Sequence, residues 1–143
     1  MEQKEIYLDN SATTKVCKAA ADSALHAMTI EYGNADSLHR KGFRAEQLVI
    51  DAKREVAGLL GCLEGELLFT SGATESNNLA LFGAVRLCAG KANRIVTTAV
   101  EHASVEGCMA ELENRGYEVV EIKPNREGEF DPLDFYRAVD DNT

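Results

Sequence analysis

Two polar stretches of this sequence carry residue types that could hold an anion and move a proton. The first, LLFTSGATESNNLAL at residues 67–81, passes from an apolar run through small polar residues around Gly72 and returns to apolar residues at helical spacing. A helix that begins near Thr74 would expose backbone N–H groups without internal partners, where the helix dipole favours negative charge. We therefore expect this turn to be able to bind a phosphate-sized anion.

The composition of this turn supplies further donors but leaves a second explanation open. Ser71 and Thr74 carry hydroxyl groups, and Gly72 can adopt conformations that a Cβ would forbid and lets a ligand approach the main chain. The stretch contains neither G-x-G-x-x-G nor G-K-[ST], so the two familiar phosphate loops do not apply. A helix start that Thr74 merely caps, with solvated polar side chains around it, explains the same residues equally well.

The second polar stretch, TTAVEHASV at residues 97–105, contains His102. Its imidazole could shuttle a proton or stack on an aromatic ligand, although a histidine in a loop is ordinarily a solvated or capping residue. The stretch follows a predicted strand, so in a parallel sheet its loop opens at the same edge as the turn around Gly72. That position favours a functional role for His102.

Alternating strands and helices must position these two stretches. The predicted elements are a helix from Thr14 to about Ile30 stopped by Gly33, a helix from about Phe43 to Leu60 ended by Gly61, a strand ELLFT, a helix TESNNLALFGAVRLCAG, a strand RIVTTAV, a helix SVEGCMAELENRG, a strand YEVVEIKP, and a last helix capped by Asp131 with Pro132 in its first turn. Short connections between them indicate an α/β fold, a mostly parallel sheet covered by helices. We assign residues 1–60 to an N-terminal helical segment with polar loops and residues 61–143 to the α/β part.

Composition excludes several classes of protein. The 143 residues are 45% hydrophobic and 27% charged, which is typical of a folded globular domain. The net charge of −9 argues against binding to nucleic acid or anionic membranes, and no apolar run approaches the roughly 20 residues that span a bilayer. Cys17, Cys62, Cys88 and Cys108 form no C-x-x-C pair, so we expect no metal site and reduced thiols of a cytoplasmic protein. Cys17, Cys88 and Cys108 fall in helical patterns and are predicted to be small core residues.

The end of the sequence interrupts the alternation of elements. The helix that begins at Asp131 should return the chain to the sheet as another strand, but the sequence stops at Thr143. We therefore expect a piece of a longer protein, truncated at its C-terminus. The alternative is a small complete domain that ends on a helix.

Four polar motifs in a fixed order resemble those of a known family. YLDNSATT at residues 7–14, GNADSLH at 33–39, LLFTSGATESNNLAL at 67–81 and EHASV at 101–105 are similar, in order and interval, to those of the NifS-like cysteine desulfurases. These are pyridoxal-phosphate enzymes of the class V aminotransferase group, with the aspartate-aminotransferase (fold type I) fold. The resemblance spans practically the whole chain, and it implies that residues 1–60 carry cofactor-side loops and that residues 61–143 are the first part of the pyridoxal-phosphate-binding α/β large domain. One departure is Ala35, which stands where the family commonly has a proline.

The resemblance implies roles for three residues. Ala73 and Thr74 would bind the phosphate of pyridoxal 5′-phosphate, through backbone N–H and hydroxyl groups. His102 would be a catalytic residue that stacks on the pyridine ring of the cofactor and takes part in proton transfer. The lysine that holds the cofactor covalently and the sulfur-accepting cysteine are expected beyond Thr143, and no lysine or cysteine of this chain is assigned to either role.

For the whole enzyme, the resemblance implies conversion of L-cysteine to L-alanine, with the sulfur passed as an enzyme persulfide to an acceptor protein for iron–sulfur cluster or thiocofactor assembly. The isolated chain should be inactive and should form a homodimer or larger assembly. A selenocysteine lyase or another class V aminotransferase is the alternative within the enzyme class. A non-catalytic phosphate-binding module and an inert fragment without a ligand are the alternatives from other classes.

Overall fold

A computed structural model of the chain describes residues 6–143, and these form two compact units that divide between Leu68 and Phe69. In neither unit do the described residues include a helix that is both long enough and apolar enough to cross a membrane. The assignment of residues 1–60 to an N-terminal segment and 61–143 to a cofactor-binding part stays a prediction, because it concerns what each part binds.

The first unit contains two α-helices and a short 3₁₀ turn. Helix α1 spans Lys18–Thr29, helix α2 spans Arg40–Leu60, and the 3₁₀ turn spans Glu64–Glu66. Helix α2 ends as predicted at Gly61, whose positive φ of 69° provides the left-handed conformation that closes many helices. Helix α1 ends at Thr29, within one residue of the predicted end at about Ile30, and Gly33 lies three residues beyond the C-terminal cap.

Gly33 serves a different purpose, which is close approach of the backbone. A Cβ built on Gly33 would lie 2.3 Å from the carbonyl oxygen of Lys41, and a Cβ built on Gly42 would lie 2.0 Å from that of Ser37. Both distances are far below any that real side chains tolerate. The loop between α1 and α2 therefore folds tightly against the first turn of α2 because two glycines face neighbouring main chain.

The second unit contains three helices and two paired strands. Its elements are α3 (Ala73–Leu87), β1 (Arg94–Thr98), α4 (Ala103–Asn114), β2 (Glu118–Ile122) and α5 (Pro132–Ala138). Strands β1 and β2 are parallel, with Arg94 opposite Glu118 and Thr98 opposite Ile122. A parallel pair joined by a helix confirms the predicted α/β class. The predicted start of α5 is also confirmed, since the Asp131 carboxylate accepts a hydrogen bond from the Leu133 N–H at 2.9 Å.

The prediction that ELLFT forms a strand is wrong. Glu66 closes the 3₁₀ turn, and the backbone from Leu67 is extended but unpaired in the described structure, whose sheet consists of β1 and β2 alone. Leu68 and Phe69 are exposed. Extended backbone becomes a strand only when a neighbouring strand pairs with its backbone groups, and neither β1 nor β2 pairs with these residues in the described structure.

The core of the second unit is a cluster on one face of α4. Cys108, Met109 and Leu112 are buried there, and Leu112 is the largest side chain among the fully buried residues. They pack against half-buried apolar side chains of α3 and the two strands: Leu81, Phe82, Val85, Ile95 and Val119. Cys108 and Met109 each lie about one turn before Leu112, so the three side chains share one helix face.

The four cysteines differ in how far they are buried. Cys108 is buried, as predicted for a small core residue. The same prediction is wrong for Cys17 and Cys88, which are both exposed. Cys17 is the residue before the first turn of α1 and Cys88 follows the last turn of α3, so neither lies on an inward helix face. Cys62 is half-buried.

Candidate cofactor site

The start of α3 is an open helix N-terminus. Gly72 occupies the capping position, and no side chain among the described residues caps the helix. Thr74 is the second helical residue, so the alternative in which Thr74 caps α3 is wrong. Ala73 and Thr74 are exposed, and backbone N–H groups in the first turn of a helix lack partners inside the helix. The geometry thus leaves donors available to an anion.

Of the two properties predicted for Gly72, the structure uses the open space and not the special backbone conformation. Its φ of 162° and ψ of 177° describe extended backbone that any residue can adopt, so the conformation does not require glycine. A Cβ at this position would meet nothing within 4 Å. What the glycine provides is open space directly in front of the helix start, where a ligand can approach the main chain.

Hydrogen bonds among Thr70, Ser71, Glu75 and Ser76, together called the brace, hold the turn in place. The Glu75 carboxylate accepts hydrogen bonds from the Ser71 N–H at 2.7 Å and from the Ser71 hydroxyl at 2.8 Å. Both bonds lower the pKa of the Glu75 carboxyl because they stabilise its charged form. The bond from the Ser71 N–H is the larger cause and the bond from the Ser71 hydroxyl the smaller. The Ser71 hydroxyl therefore bonds to Glu75, and the prediction that it serves as a donor to the anion is not met in this conformation.

Thr70 and Ser76 complete the brace. The Thr70 hydroxyl donates to the carbonyl oxygen of Gly72 at 3.0 Å, and its oxygen lies 2.7 Å from the Ser76 hydroxyl, which then acts as the donor. Sequence reasoning missed Thr70, Ser76 and Glu75. A signal was available for Glu75, because a glutamate at the third helical position commonly bonds back to the backbone before the helix.

His102 lies at the start of α4, in the capping position. Its Nδ1 accepts a hydrogen bond from the Ser104 N–H at 3.1 Å, and the ring is exposed. The capping role that the sequence left open is therefore present. It occupies only one ring nitrogen, so Nε2 and the two faces of the ring are unaffected by it.

A hydrogen bond between helices brings the two predicted stretches together. Asn77, in the second turn of α3, donates from Nδ2 to the Ser104 hydroxyl oxygen at 2.8 Å. Ser104 is the second residue of α4 and follows β1 closely, so the starts of both helices lie at the edge where β1 ends. The bond therefore brings α3 and α4 together near their starts, and the orientation of the His102 ring towards the turn around Gly72 stays a prediction.

This arrangement fits a phosphate-bearing aromatic cofactor. The open start of α3 offers N–H groups and the Thr74 hydroxyl to a phosphate, and the only acidic side chain in that first turn, Glu75, is turned back onto Ser71. An exposed imidazole stands on the neighbouring helix, where it could contact a ring. Among the described residues, no group of three histidine, cysteine or acidic side chains could hold a metal ion.

The fold and this edge define the class of protein. The family model for aminotransferase class-V matches residues 6–143, so the chain belongs to the class-V aminotransferase family. Among curated proteins it is similar to a NifS/IcsS protein homolog of Lactobacillus delbrueckii subsp. bulgaricus, at 42% identity over 96% of this chain and 36% of that protein. It is equally similar, at 42% identity, to the cysteine desulfurase IscS of Anaeromyxobacter sp. strain K, over 96% of this chain and 34% of that enzyme.

Solved structures agree with this assignment. A NifS-like protein superposes with a TM-score of 0.86 at 31% identity, covering 98% of this chain and 38% of that one. DndA from Streptomyces lividans superposes with a TM-score of 0.79 at 39% identity, covering 96% and 39%. These neighbours confirm the predicted fold type I architecture. The chain spans about a third of the length of the curated relatives that it matches.

Proposed function

We propose that this chain is the N-terminal part of a pyridoxal-phosphate-dependent cysteine desulfurase and forms one wall of its cofactor pocket. The observation that carries the proposal is the Asn77–Ser104 hydrogen bond, which joins the uncapped start of α3 to the start of α4 that bears His102. The names of the relatives, NifS homologue and cysteine desulfurase, support it.

In this proposal the chain binds the cofactor at two points. The N–H groups of Ala73 and Thr74 and the Thr74 hydroxyl hold the phosphate, and the His102 ring stacks on the pyridine face and holds a proton near it. Bound pyridoxal phosphate supplies an electron sink for bond cleavage at the substrate. The brace keeps the turn in place before the cofactor arrives.

L-Cysteine is the proposed substrate of the whole enzyme. Support comes from the cysteine desulfurase relatives and from the structure of SspA in complex with cysteine, which superposes with a TM-score of 0.81 at 28% identity. Transfer of the sulfur to an acceptor protein follows from the same proposal. A selenocysteine lyase or another class V aminotransferase is the alternative, because nothing in the walls formed by α3 and α4 distinguishes sulfur from selenium.

Binding of the cofactor tests the role of the α3 start. We expect pyridoxal phosphate to bind the chain more tightly than pyridoxal, which lacks the phosphate, when both are titrated calorimetrically. The Thr74→Val variant should bind pyridoxal phosphate roughly 10- to 150-fold more weakly, since a hydrogen bond to a charged group contributes about 1.5–3 kcal/mol. Thr29→Val serves as the control, because the Thr29 hydroxyl bonds to the Leu25 carbonyl oxygen in α1.

Two outcomes would contradict the proposal. One is equal affinity for pyridoxal phosphate and pyridoxal, which would show that the start of α3 does not bind the phosphate. The other is a rise in melting temperature with nucleotides but not with pyridoxal phosphate, which would favour the non-catalytic phosphate-binding module.

We also propose that the chain associates with a second copy of itself. An apolar groove of about 270 Å³ in the second unit is lined by α3, β1 and α4, including Leu81, Val85 and Met109. Large apolar side chains are exposed on α3 and α5 as well, among them Leu87 and Tyr136. Extended apolar surface of this kind marks interaction sites in soluble proteins. Sedimentation at micromolar concentration should give a dimer or larger species, and a clean 15.6 kDa monomer would overturn this expectation.

The cytoplasmic location expected from the scattered, unpaired cysteines remains part of the proposal. Fractionation of cells that express the tagged protein would test it, and recovery in a membrane or secreted fraction would contradict it.

A further inference from the structure

Two groups of Ser104, its backbone N–H and its hydroxyl, lie within hydrogen-bond distance of the Nδ1 atom of His102. The Ser104 N–H donates to it at 3.1 Å, and the Ser104 hydroxyl oxygen lies 2.9 Å from it. A backbone N–H can only donate, so Nδ1 must carry a lone pair and no proton. The Ser104 hydroxyl can then only be the donor in its bond to Nδ1, where it shares the single lone pair with the N–H, and the proton of the neutral ring is on Nε2.

Asn77, the second neighbour of the Ser104 hydroxyl, is consistent with this direction of the hydroxyl hydrogen bond. Ser104 has one hydroxyl proton, and His102 takes it, so the serine oxygen can only accept from its other neighbour. That neighbour is Asn77, whose Nδ2 lies 2.8 Å away in a half-buried position. The hydrogen bonds thus run one way, from the Asn77 amide to the Ser104 hydroxyl and from there to His102 Nδ1.

We propose that Asn77 and Ser104 are positioning residues that select one tautomer of the neutral His102 ring, the one with its proton on Nε2. To accept a proton at Nδ1, the ring would have to give up both hydrogen bonds from Ser104. In this tautomer the ring stacks with Nε2–H as the donor that it offers to a bound ligand. This last step rests on the proposed function, whereas the tautomer itself does not.

The chain provides its own reference histidines. His39 caps α2 in a similar way, since its Nδ1 accepts from the Gly42 N–H at 3.1 Å, but the bond from a hydroxyl is particular to His102 among the described residues. His26 lies in the last turn of α1, away from a helix start. One spectrum of the three rings therefore compares no cap, a backbone cap and a cap reinforced by a hydroxyl.

Nitrogen NMR of the ¹⁵N-labelled chain tests the proposal without cofactor. At a pH of about 9, where free imidazole is neutral, long-range ¹H–¹⁵N correlations should show an unprotonated Nδ1 and a protonated Nε2 for His102. The Asn77→Asp variant offers Ser104 an acceptor in place of a donor, so the hydroxyl should turn away from His102. The ratio of the Nδ1–H to the Nε2–H form should then rise roughly fivefold, as the loss of one neutral hydrogen bond implies.

Two control variants isolate the hydroxyl from charge and from folding. Ser104→Thr keeps the hydroxyl and should keep the wild-type ring shifts. Asn114→Asp introduces the same charge change at the other end of α4 and should also leave the ring unchanged. Backbone amide shifts of α4 that match the wild type show that each variant is folded.

Three results would overturn the proposal. They are a protonated Nδ1 in wild-type His102, a tautomer ratio in Asn77→Asp within twofold of the wild type, and a shift in Ser104→Thr as large as that in Asn77→Asp. Titration of the same samples with pyridoxal phosphate separates the two proposals. If His102 shows the Nε2–H tautomer but the chain does not bind the cofactor, the proposed function alone is refuted. If the cofactor binds but the tautomer ratio is unchanged in Asn77→Asp, the positioning role alone is refuted.

Discussion

With pyridoxal phosphate and L-cysteine, the 143-residue chain is expected to release sulfide no faster than pyridoxal phosphate does alone. Desulfuration requires an amine that bonds covalently to the cofactor and a thiol that accepts the sulfur, and binding groups do not replace either nucleophile. In the second unit, Lys91 lies beyond the end of α3 opposite to Ala73, and Lys123 lines a groove with Asp134 and Arg137 near α5. Neither lysine lies in the first turn of α3 or α4.

Absorbance spectroscopy and a sulfide assay measure this directly. Exposed lysines should give only weak, non-stoichiometric yellow colour with pyridoxal phosphate. A stoichiometric yellow complex that a single substitution such as Lys91→Arg or Lys123→Arg abolishes would show the prediction wrong. Sulfide release that depends on the chain would show it wrong as well.

The Leu112→Ala variant is expected to lose about 2–5 kcal/mol of the free energy of unfolding of the second unit. Leu112 is 1% exposed and lies at the centre of the contacts between α4, α3 and the two strands. Its truncation removes apolar burial and leaves a cavity that the rigid strand pair cannot fill. Since small domains are stable by only about 5–15 kcal/mol, this loss is a large fraction of the total, and the unit should open at least roughly 30-fold more often.

Hydrogen exchange of the β1 and β2 amides reports on this unit separately from the rest of the chain. Leu59→Ala is the matched control, because Leu59 is 84% exposed near the end of α2 in the first unit and its truncation should change the stability of the second unit by less than about 0.5 kcal/mol. Equal protection of the strand amides in the two variants would contradict the central place given to Leu112.

Local sequence patterns predicted the elements whose structure depends on local properties. Helical periodicity located α2 and α4, and the Asp131–Pro132 pair located the start of α5. ELLFT was mistaken for a strand, because an apolar run indicates extended backbone but does not reveal whether a partner strand is available.

The candidate site was predicted as far as chain order allowed. The order of β1, its loop and α4 placed the His102 loop at the end of β1, but the strand that was expected to hold the start of α3 at the same edge is not formed, and α3 meets α4 through helix packing instead. The bond from Asn77 to Ser104 could not be predicted, since it joins side chains 27 positions apart whose meeting depends on how α3 packs on α4. The return of Glu75 to Ser71 was within reach of capping rules, and it removed a hydroxyl that had been assigned to the anion.

The close approach of backbone at Gly33 and Gly42 separates positions that can drift in evolution from positions that cannot. A lineage under selection for this fold alone would exchange Gly58, Gly83 or Gly107 for alanine with little resistance, because a Cβ there meets nothing within 4 Å and alanine is the better helix former. At Gly33 and Gly42 the neighbouring carbonyl oxygens belong to the main chain and cannot move aside as a side chain would. Glycine at those two positions therefore records the shape of the loop between α1 and α2, and its persistence among divergent sequences would be evidence of geometry rather than of catalysis.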